Sequence, residues 1–191
     1  GEMDLLTLIL TACGLAMDAF AVAVSSGITA RDPLGPKALR MGFFFGFFQA
    51  LMPLIGYFAG MSIMAYIQHV DHFVAFGLLA FVGGKMLLDG IRGEEDCEAK
   101  GDSFRIQTLL ILSIATSIDA LAVGISFAAV SANIWLSAGL IGVITFSLSY
   151  LGVFFGKRLG CAFQKKAVVT GGVVLILIGA KILLEHLGIL G

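Results

Sequence analysis

The chain has 191 residues, of which 59% are hydrophobic and only 13% are charged, and its formal net charge is −1. Because soluble domains average about 45–50% apolar and about 25% charged residues, this composition excludes an ordinary soluble protein and a disordered chain. The near-neutral charge without a long basic run excludes a nucleic-acid binder, and three widely separated cysteines exclude a disulfide framework.

Six apolar stretches follow one another along the chain, each long enough, or nearly so, to cross a membrane. A transmembrane helix needs about 20 apolar residues to span the roughly 30 Å hydrocarbon core. Runs such as Leu109–Ala115 lack the alternating pattern of a transmembrane β-strand. The sequence therefore predicts an all-α integral membrane protein with six transmembrane helices. The predicted spans are residues 5–29, 39–66, 73–91, 106–130, 134–156 and 167–188.

The basic residues are distributed unevenly among the segments that connect these spans. They fall in the first, third and fifth segments and at neither terminus. Since cytoplasmic segments of membrane proteins hold the excess of Lys and Arg, we expect these three segments in the cytoplasm and both termini outside. The residues concerned are Arg31, Lys37, Arg40, Arg92, Lys100, Arg105, Lys157, Arg158, Lys165 and Lys166.

The chain contains an internal repeat. The segment Asp18–Ser25, DAFAVAVS, recurs as Asp119–Ser126, DALAVGIS, with five identities. Each copy holds three predicted spans, an odd number, so the second copy must cross the membrane in the opposite orientation. Two further matches follow in the same order, Leu54–Gly60 with Tyr150–Gly156 and Gly83–Asp89 with Gly179–Glu185.

This organisation predicts one membrane domain made of two inverted three-helix repeats. The first repeat covers residues 1–92, an acidic cytoplasmic linker covers 93–104, and the second repeat covers 105–191. Transporters are commonly built from inverted repeats, with the substrate bound near the midplane where the halves meet. The GxxxG pairs Gly56/Gly60 and Gly152/Gly156 stand at matching repeat positions and are preceded by the matching pairs Gly42/Gly46 and Ala138/Gly142. Together they predict that the second and fifth spans approach each other closely.

Two acidic residues lie inside the hydrophobic spans. Asp18 and Asp119 fall near the middle of the first and fourth spans, and hence near mid-depth in the membrane. A charged side chain there costs about 2.5–3.5 kcal/mol on insertion scales, so an intramembrane acid is a functional candidate by default. Because two carboxylates balance one divalent cation, Asp18 and Asp119 are predicted metal ligands. The structural alternative is that they form hydrogen bonds to hydroxyls or cap a broken helix.

The polar side chains around these aspartates mostly offer oxygen atoms as possible metal ligands. Ser25 and Ser126 lie two turns beyond the aspartates, and Thr116 lies one turn before Asp119. They are candidates for lining a cavity or supporting the metal, although each hydroxyl can equally bond to its own helix. Further candidates are Gln49 in the second span and Ser147 and Ser149 in the fifth.

The chemical types of the candidate ligands limit which metal ions this site could bind. No histidine lies at mid-membrane, and Cys13 is the one cysteine clearly inside a predicted span. Because zinc and copper sites use imidazole and thiolate ligands, the sequence disfavours a site for either metal. Carboxylate, carbonyl and hydroxyl oxygens suit Mg²⁺, Ca²⁺ or Mn²⁺. The thioether of Met17, beside Asp18, would favour manganese among them, although methionine on a helix more often serves in packing.

A second repeated pattern puts a lysine and an acid four residues apart inside the third and sixth spans. Lys85 with Asp89 and Lys181 with Glu185 have the spacing at which opposite charges neutralise each other on a helix. Structural charge pairing is one interpretation, and a pair of symmetry-related gates is the other.

Four short segments carry a specific resemblance. They are Gly14–Ala21 (GLAMDAFA), Leu51–Gly56 (LMPLIG), Gly83–Met86 (GGKM) and Ala115–Ala120 (ATSIDA). Together they resemble the MntP-type manganese efflux pumps of bacteria, small six-helix proteins of the inner membrane. The resemblance implies a transporter rather than an enzyme, with Mn²⁺ as exported substrate, no further cofactor, and Asp18 and Asp119 essential. Gln49 stands where some relatives are expected to carry an acid, which leaves its metal-binding role open.

The expected mechanism is alternating access, in which the halves rock around Mn²⁺ held between Asp18 and Asp119. The sequence has no Walker motif for ATP hydrolysis, whereas two buried carboxylates that repel each other without metal would take up protons, which favours proton antiport. The expected partners are Mn²⁺ and the lipid bilayer, with a homodimer left open. The alternative functions are export of small organic solutes such as amino acids and a non-transporting membrane scaffold.

Overall fold

The computed structural model describes residues 5–30, 33–64, 103–129, 133–159 and 161–186, together with residues 76, 77, 80, 81, 84, 87, 88 and 91. The continuous stretches form five helices, α1 (Leu5–Thr29), α2 (Leu34–Met64), α3 (Ile106–Ala129), α4 (Ile134–Leu159) and α5 (Cys161–His186). Within the described residues, α1 to α4 are long and apolar enough to cross a membrane. The prediction of an all-α membrane protein is confirmed, and α3 to α5 correspond to the fourth to sixth predicted spans.

Several helices extend beyond the predicted spans into segments that the sequence assigned to loops. The loop assignment was wrong at the start of α2 and α5, which begin at Leu34 and Cys161. Pro36 fits the first turn of α2, because N–H groups there have no acceptor within the helix. Lys157 and Arg158 belong to the last turn of α4, where cations interact favourably with the negative end of the helix dipole.

The third predicted span, residues 73–91, lies mostly outside the described residues. Its eight described positions are all helical. Among them, the side chains of Phe81, Leu88 and Ile91 are more than half exposed, at 69%, 52% and 65%. In a membrane protein such large exposed apolar side chains suit contact with lipid.

The helices pack in a pattern that pairs one half of the chain with the other. The main contacts join α1 to α4, α2 to α3 and α2 to α4, and α5 packs against α1. α2 and α3 run in the same direction, since Gln49 is hydrogen bonded to Thr116 and the later Gly60 lies against Ala128. α1 and α4 also run parallel, whereas α2 and α4 run antiparallel. The first helix of each sequence repeat therefore packs along the second helix of the other.

Glycines allow the closest helix approaches. Gly46 and Gly142 contact each other where α2 crosses α4, and a Cβ atom added to Gly142 would lie 2.9 Å from the Cβ atom of Ala50. The GxxxG pairs pack elsewhere. Gly56 lies against the main chain of α3, and Gly156 lies against the main chain of α1. The predicted close approach of the second and fifth spans is confirmed, and it occurs at the earlier glycines, where Gly46 meets its repeat counterpart Gly142.

One end of the bundle, called here the basic end, brings together the end of α1, the start of α2, the start of α3 and the end of α4. Lys157 Nζ donates a hydrogen bond of 2.8 Å to the main-chain oxygen of Ala30, just beyond the end of α1. Lys37 Nζ lies 5.4 Å from the centre of the Phe104 ring. These contacts bring together basic residues that the sequence expects on one side of the membrane.

Two apolar clusters lie toward the two ends of the bundle. The basic-end cluster includes Ala30, Ala38, Met41, Phe45, Phe104, Leu109 and Val153. The opposite-end cluster includes Leu8, Ala12, Leu15, Phe127, Ile134, Ile141 and Ile178. At the opposite end, Asn133 caps α4 by accepting a hydrogen bond of 3.3 Å from the Leu136 N–H group. Along α2, α3 and α4, the buried residues Gln49, Asp119, Thr145 and Ser149 lie between members of the two clusters.

Candidate functional site

The two predicted metal ligands occupy equivalent positions in α1 and α3. Phe20, two residues after Asp18, contacts Gly152 of α4 through its carbonyl oxygen, and Leu121, two residues after Asp119, contacts Gly56 of α2 in the same way. The Asp119 side chain is buried, with 4% of its surface exposed, and Asp18 is half-buried. Each acid therefore lies on a helix that packs tightly on the other half of the chain.

Gln49 connects α2 to the helix that carries Asp119. Its Nε2 atom donates a hydrogen bond of 3.2 Å to the main-chain oxygen of Thr116. Thr116 is one turn before Asp119 and shares its face of α3. The contact therefore places Gln49 beside the turn that precedes Asp119. Its Oε1 atom is fully buried and has no hydrogen-bond partner among the described residues.

The predicted hydroxyl residues separate into two kinds. Ser126, Thr116 and Ser147 donate to carbonyl oxygens of their own helices, at 3.1 Å, 3.0 Å and 2.9 Å. Ser126 and Thr116 are buried, as is Ser25, so their oxygens still face the protein interior. Ser147 is exposed instead, and the expectation that it lines the interior was wrong. Its position on α4 points the side chain away from the neighbouring helices.

Two buried hydroxyls on α4 lack any hydrogen-bond partner in the described part of the chain. They are Thr145 Oγ1 and Ser149 Oγ. The sequence predicted Ser149 and missed Thr145, which is fully buried. The repeat could have revealed it, since the alignment that relates Leu54–Gly60 to Tyr150–Gly156 also relates Gln49 to Thr145.

Of the remaining candidates, two make packing or hydrogen-bond contacts and the others lie outside the described residues. Met17 packs against the opposite-end cluster, as a core methionine does. Lys181 Nζ donates a hydrogen bond of 2.6 Å to Thr7 Oγ1, which ties α5 to α1. Lys85, Asp89 and the side chain of Glu185 lie outside the described residues, so neither gate pair is tested.

The described residues contain no group of three or more His, Cys, Asp and Glu side chains that could hold a metal. The acids of α1 and α3 are accompanied instead by amide, hydroxyl and main-chain oxygens. Neutral oxygens beside carboxylates are the ligands that hard divalent cations accept.

Comparison with known proteins identifies the family. The family described as "Putative manganese efflux pump" matches residues 32–183. The chain belongs to this family. A relative from Desulfitobacterium hafniense, named "Putative manganese efflux pump MntP", is 50% identical and is aligned over 99% of both chains. Relatives with the same name from Gloeothece citriformis and Syntrophotalea carbinolica are 48% and 46% identical, over 97% and 96% of this chain and 98% of their own lengths. No solved structure matches the chain.

Membership in this pump family confirms the resemblance drawn from the four sequence segments. The protein belongs among transporters rather than enzymes, and it is a multi-pass membrane protein of bacteria. The family match begins at residue 32, so it includes Asp119 and stops short of α1 and Asp18. The relatives named above are aligned over nearly the whole chain.

Proposed function

We propose that this chain exports Mn²⁺ from the cytoplasm by alternating access, with Asp18 and Asp119 as the ligands that carry the charge of the ion. The single observation that carries the proposal is the equivalent position of the two acids on α1 and α3. Each of these helices packs against a helix of the other half of the chain. Membership in a family of manganese efflux pumps favours this function over export of organic solutes or a scaffold. Both carboxylates come from one chain, so the scheme does not require the homodimer that the sequence leaves open.

The proposed architecture is a six-helix bundle of two inverted repeats. Its support is the contact pattern, in which α1 with α4 and α2 with α3 are equivalent pairs that meet at the Gly46–Gly142 crossing. Because α2 and α3 run parallel, the chain between Met64 and Ser103 has to return to the side on which α2 begins. A third span over residues 73–91 accomplishes this return, and its described positions are helical.

In this scheme the two apolar clusters act as alternate barriers. The basic-end cluster separates the aspartates from one side of the membrane, and the opposite-end cluster separates them from the other. Rocking of one half against the other would open one cluster while the other stays packed. Mn²⁺ would enter through the basic end, bind the two carboxylates and leave at the opposite end.

Proton antiport supplies the driving force in this scheme. When Mn²⁺ leaves, two carboxylates in a low-dielectric interior repel each other, and protonation relieves that repulsion. We expect purified protein in liposomes to move Mn²⁺ faster when the acidic side is the side of Mn²⁺ release. At equilibrium, each pH unit should support a Mn²⁺ gradient about tenfold larger per exchanged proton. Fluorescent reporters of Mn²⁺ and of pH inside the vesicles measure both fluxes. Mn²⁺ movement with no accompanying proton flux would contradict antiport and leave Mn²⁺ export intact.

The proposed orientation has the basic end in the cytoplasm and both termini outside. It rests on the contacts of Lys157 with Ala30 and of Lys37 with Phe104, which place described residues bordering the first, third and fifth connecting segments at one end. We expect an epitope tag at either terminus to be accessible in spheroplasts, and a tag inserted at residues 93–104 to be protected until the membrane is permeabilised. A protected terminal tag together with an accessible internal tag would overturn the orientation.

A further inference from the structure

Three side-chain oxygens inside the bundle have no hydrogen-bond partner among the described residues. They are Gln49 Oε1 on α2 and Thr145 Oγ1 and Ser149 Oγ on α4. All three residues are 0% exposed. Since buried polar atoms in folded proteins are almost always paired, three unpaired oxygens on two contacting helices indicate that something else binds them.

These oxygens come from positions that the repeat relates to each other. Gln49 and Thr145 are equivalent, and each stands three residues beyond a glycine of the α2–α4 crossing, Gly46 and Gly142. Ser149 lies one turn beyond Thr145 on the same face of α4. The group is therefore built around the crossing of the two halves.

Each part of the group lies at the level of one aspartate. On α2, Gln49 is held against Thr116, one turn before Asp119. On α4, Gly152 contacts Phe20 and Ala23 of α1. Because α1 and α4 run parallel, Ser149, one turn before Gly152, is level with the turn of α1 that carries Asp18.

The chemistry of the free atoms favours a cation. The Gln49 Nε2 atom donates to the main-chain oxygen of Thr116, and a carbonyl oxygen can accept only from a donor. The atom of the amide that has no partner among the described residues is therefore the oxygen, Oε1. Pro53 has no N–H group, so it cannot donate to the main-chain oxygen of Gln49 four residues earlier, which adds a carbonyl at this level. Amide, carbonyl and hydroxyl oxygens are ligands for Mg²⁺, Ca²⁺ and Mn²⁺.

We propose that Gln49, Thr145 and Ser149 are neutral ligands of the transported cation. The amide oxygen of α2 acts with Asp119, and the two hydroxyl oxygens of α4 act with Asp18. This inference rests on the proposed function and adds residues that determine metal preference. The two half-sites differ chemically, since an amide on one side corresponds to a hydroxyl on the other.

The test measures metal binding by purified full-length protein in detergent, with Mn²⁺ and Zn²⁺ as probes. Thr145→Val keeps the shape of the side chain and removes its oxygen, and we expect the Kd for Mn²⁺ to rise at least about tenfold. Thr145→Ser, which restores the hydroxyl, should bind Mn²⁺ as the unmodified protein does. Ser149→Cys should shift preference from Mn²⁺ toward Zn²⁺ by about tenfold, because thiolates select softer metals. The matched control is Ser147→Cys, on the exposed face of the same helix.

The outcomes separate this proposal from the proposed function. If Thr145→Val binds Mn²⁺ normally while Asp18→Asn loses it, the neutral ligands are wrong and Mn²⁺ export stands. If Asp18→Asn binds Mn²⁺ normally, the proposed function fails as well. Should Thr145→Val not fold, the comparison of Ser149→Cys with Ser147→Cys decides the question. If Ser149 had only a structural role, both variants would have the same ratio of Zn²⁺ to Mn²⁺ affinity.

Discussion

Reconstituted protein with Asp119→Asn is expected to lose at least about 100-fold of its Mn²⁺ transport rate at limiting Mn²⁺, which corresponds to about 2.7 kcal/mol of lost interaction with the ion. The amide keeps the size of the side chain but removes the charge that balances a divalent cation. Since Asp119 is 4% exposed, little water is present to replace the lost ligand. Asp18→Asn should have a similar effect from the equivalent position on α1. Uptake of Mn²⁺ into proteoliposomes measures the loss.

A second measurement shows whether the loss comes from binding or from unfolding. A ligand that binds only the folded protein stabilises it by about 2.7 kcal/mol at 100 times its Kd, so Mn²⁺ should raise the melting temperature of the unmodified protein in detergent. That shift should be absent in both Asp→Asn variants, although their melting temperatures without metal remain close to that of the unmodified protein. Ser147→Ala, on the exposed face of α4, is the control and should retain both transport and the shift. Normal transport by Asp119→Asn would refute the role of this carboxylate.

Replacement of Gly156 by alanine is expected to destabilise the bundle by about 1–3 kcal/mol or more, the range of overpacking substitutions in close-packed interiors. A Cβ atom at this position would overlap the main-chain oxygen of Val24, so α4 would have to move away from α1. Gly56→Ala should act in the same way, because its Cβ atom would overlap the main-chain oxygen of Leu121. Thermal or denaturant unfolding in detergent measures the change in the free energy of unfolding.

The matched control is a helical glycine with open space around it. Gly139 of α4 has no atom within 4 Å of an added Cβ among the described residues. Gly139→Ala should therefore leave stability unchanged or raise it by up to about 1 kcal/mol, since alanine favours the helix. If Gly156→Ala and Gly139→Ala were equally stable, the tight contact of α4 with α1 would be incorrect.

The sequence by itself determined the membrane character of the chain, the approximate positions of the five described helices and the choice of Asp18 and Asp119 as candidates. These features depend on local runs of apolar residues, on the high free energy of a charge in lipid, and on a repeat that is visible along the chain. Asp18 and Asp119 were recognisable for that reason, and so was the family. The predicted starts of α2 and α5 were less accurate, because a polar first turn can be helical at the membrane surface.

Only the tertiary structure decided where along their lengths the helices meet and which polar side chains face inward. Lipid is as apolar as a protein core, so the lipid-facing and buried faces of a transmembrane helix have similar composition, and the sequence carries little signal of the difference. Ser147 and Ser149 are two residues apart, yet one is exposed and the other is fully buried. The partners of the GxxxG glycines and the burial of Thr145 depend in the same way on how each helix is rotated against its neighbours, and that rotation is fixed by contacts between residues far apart in the chain.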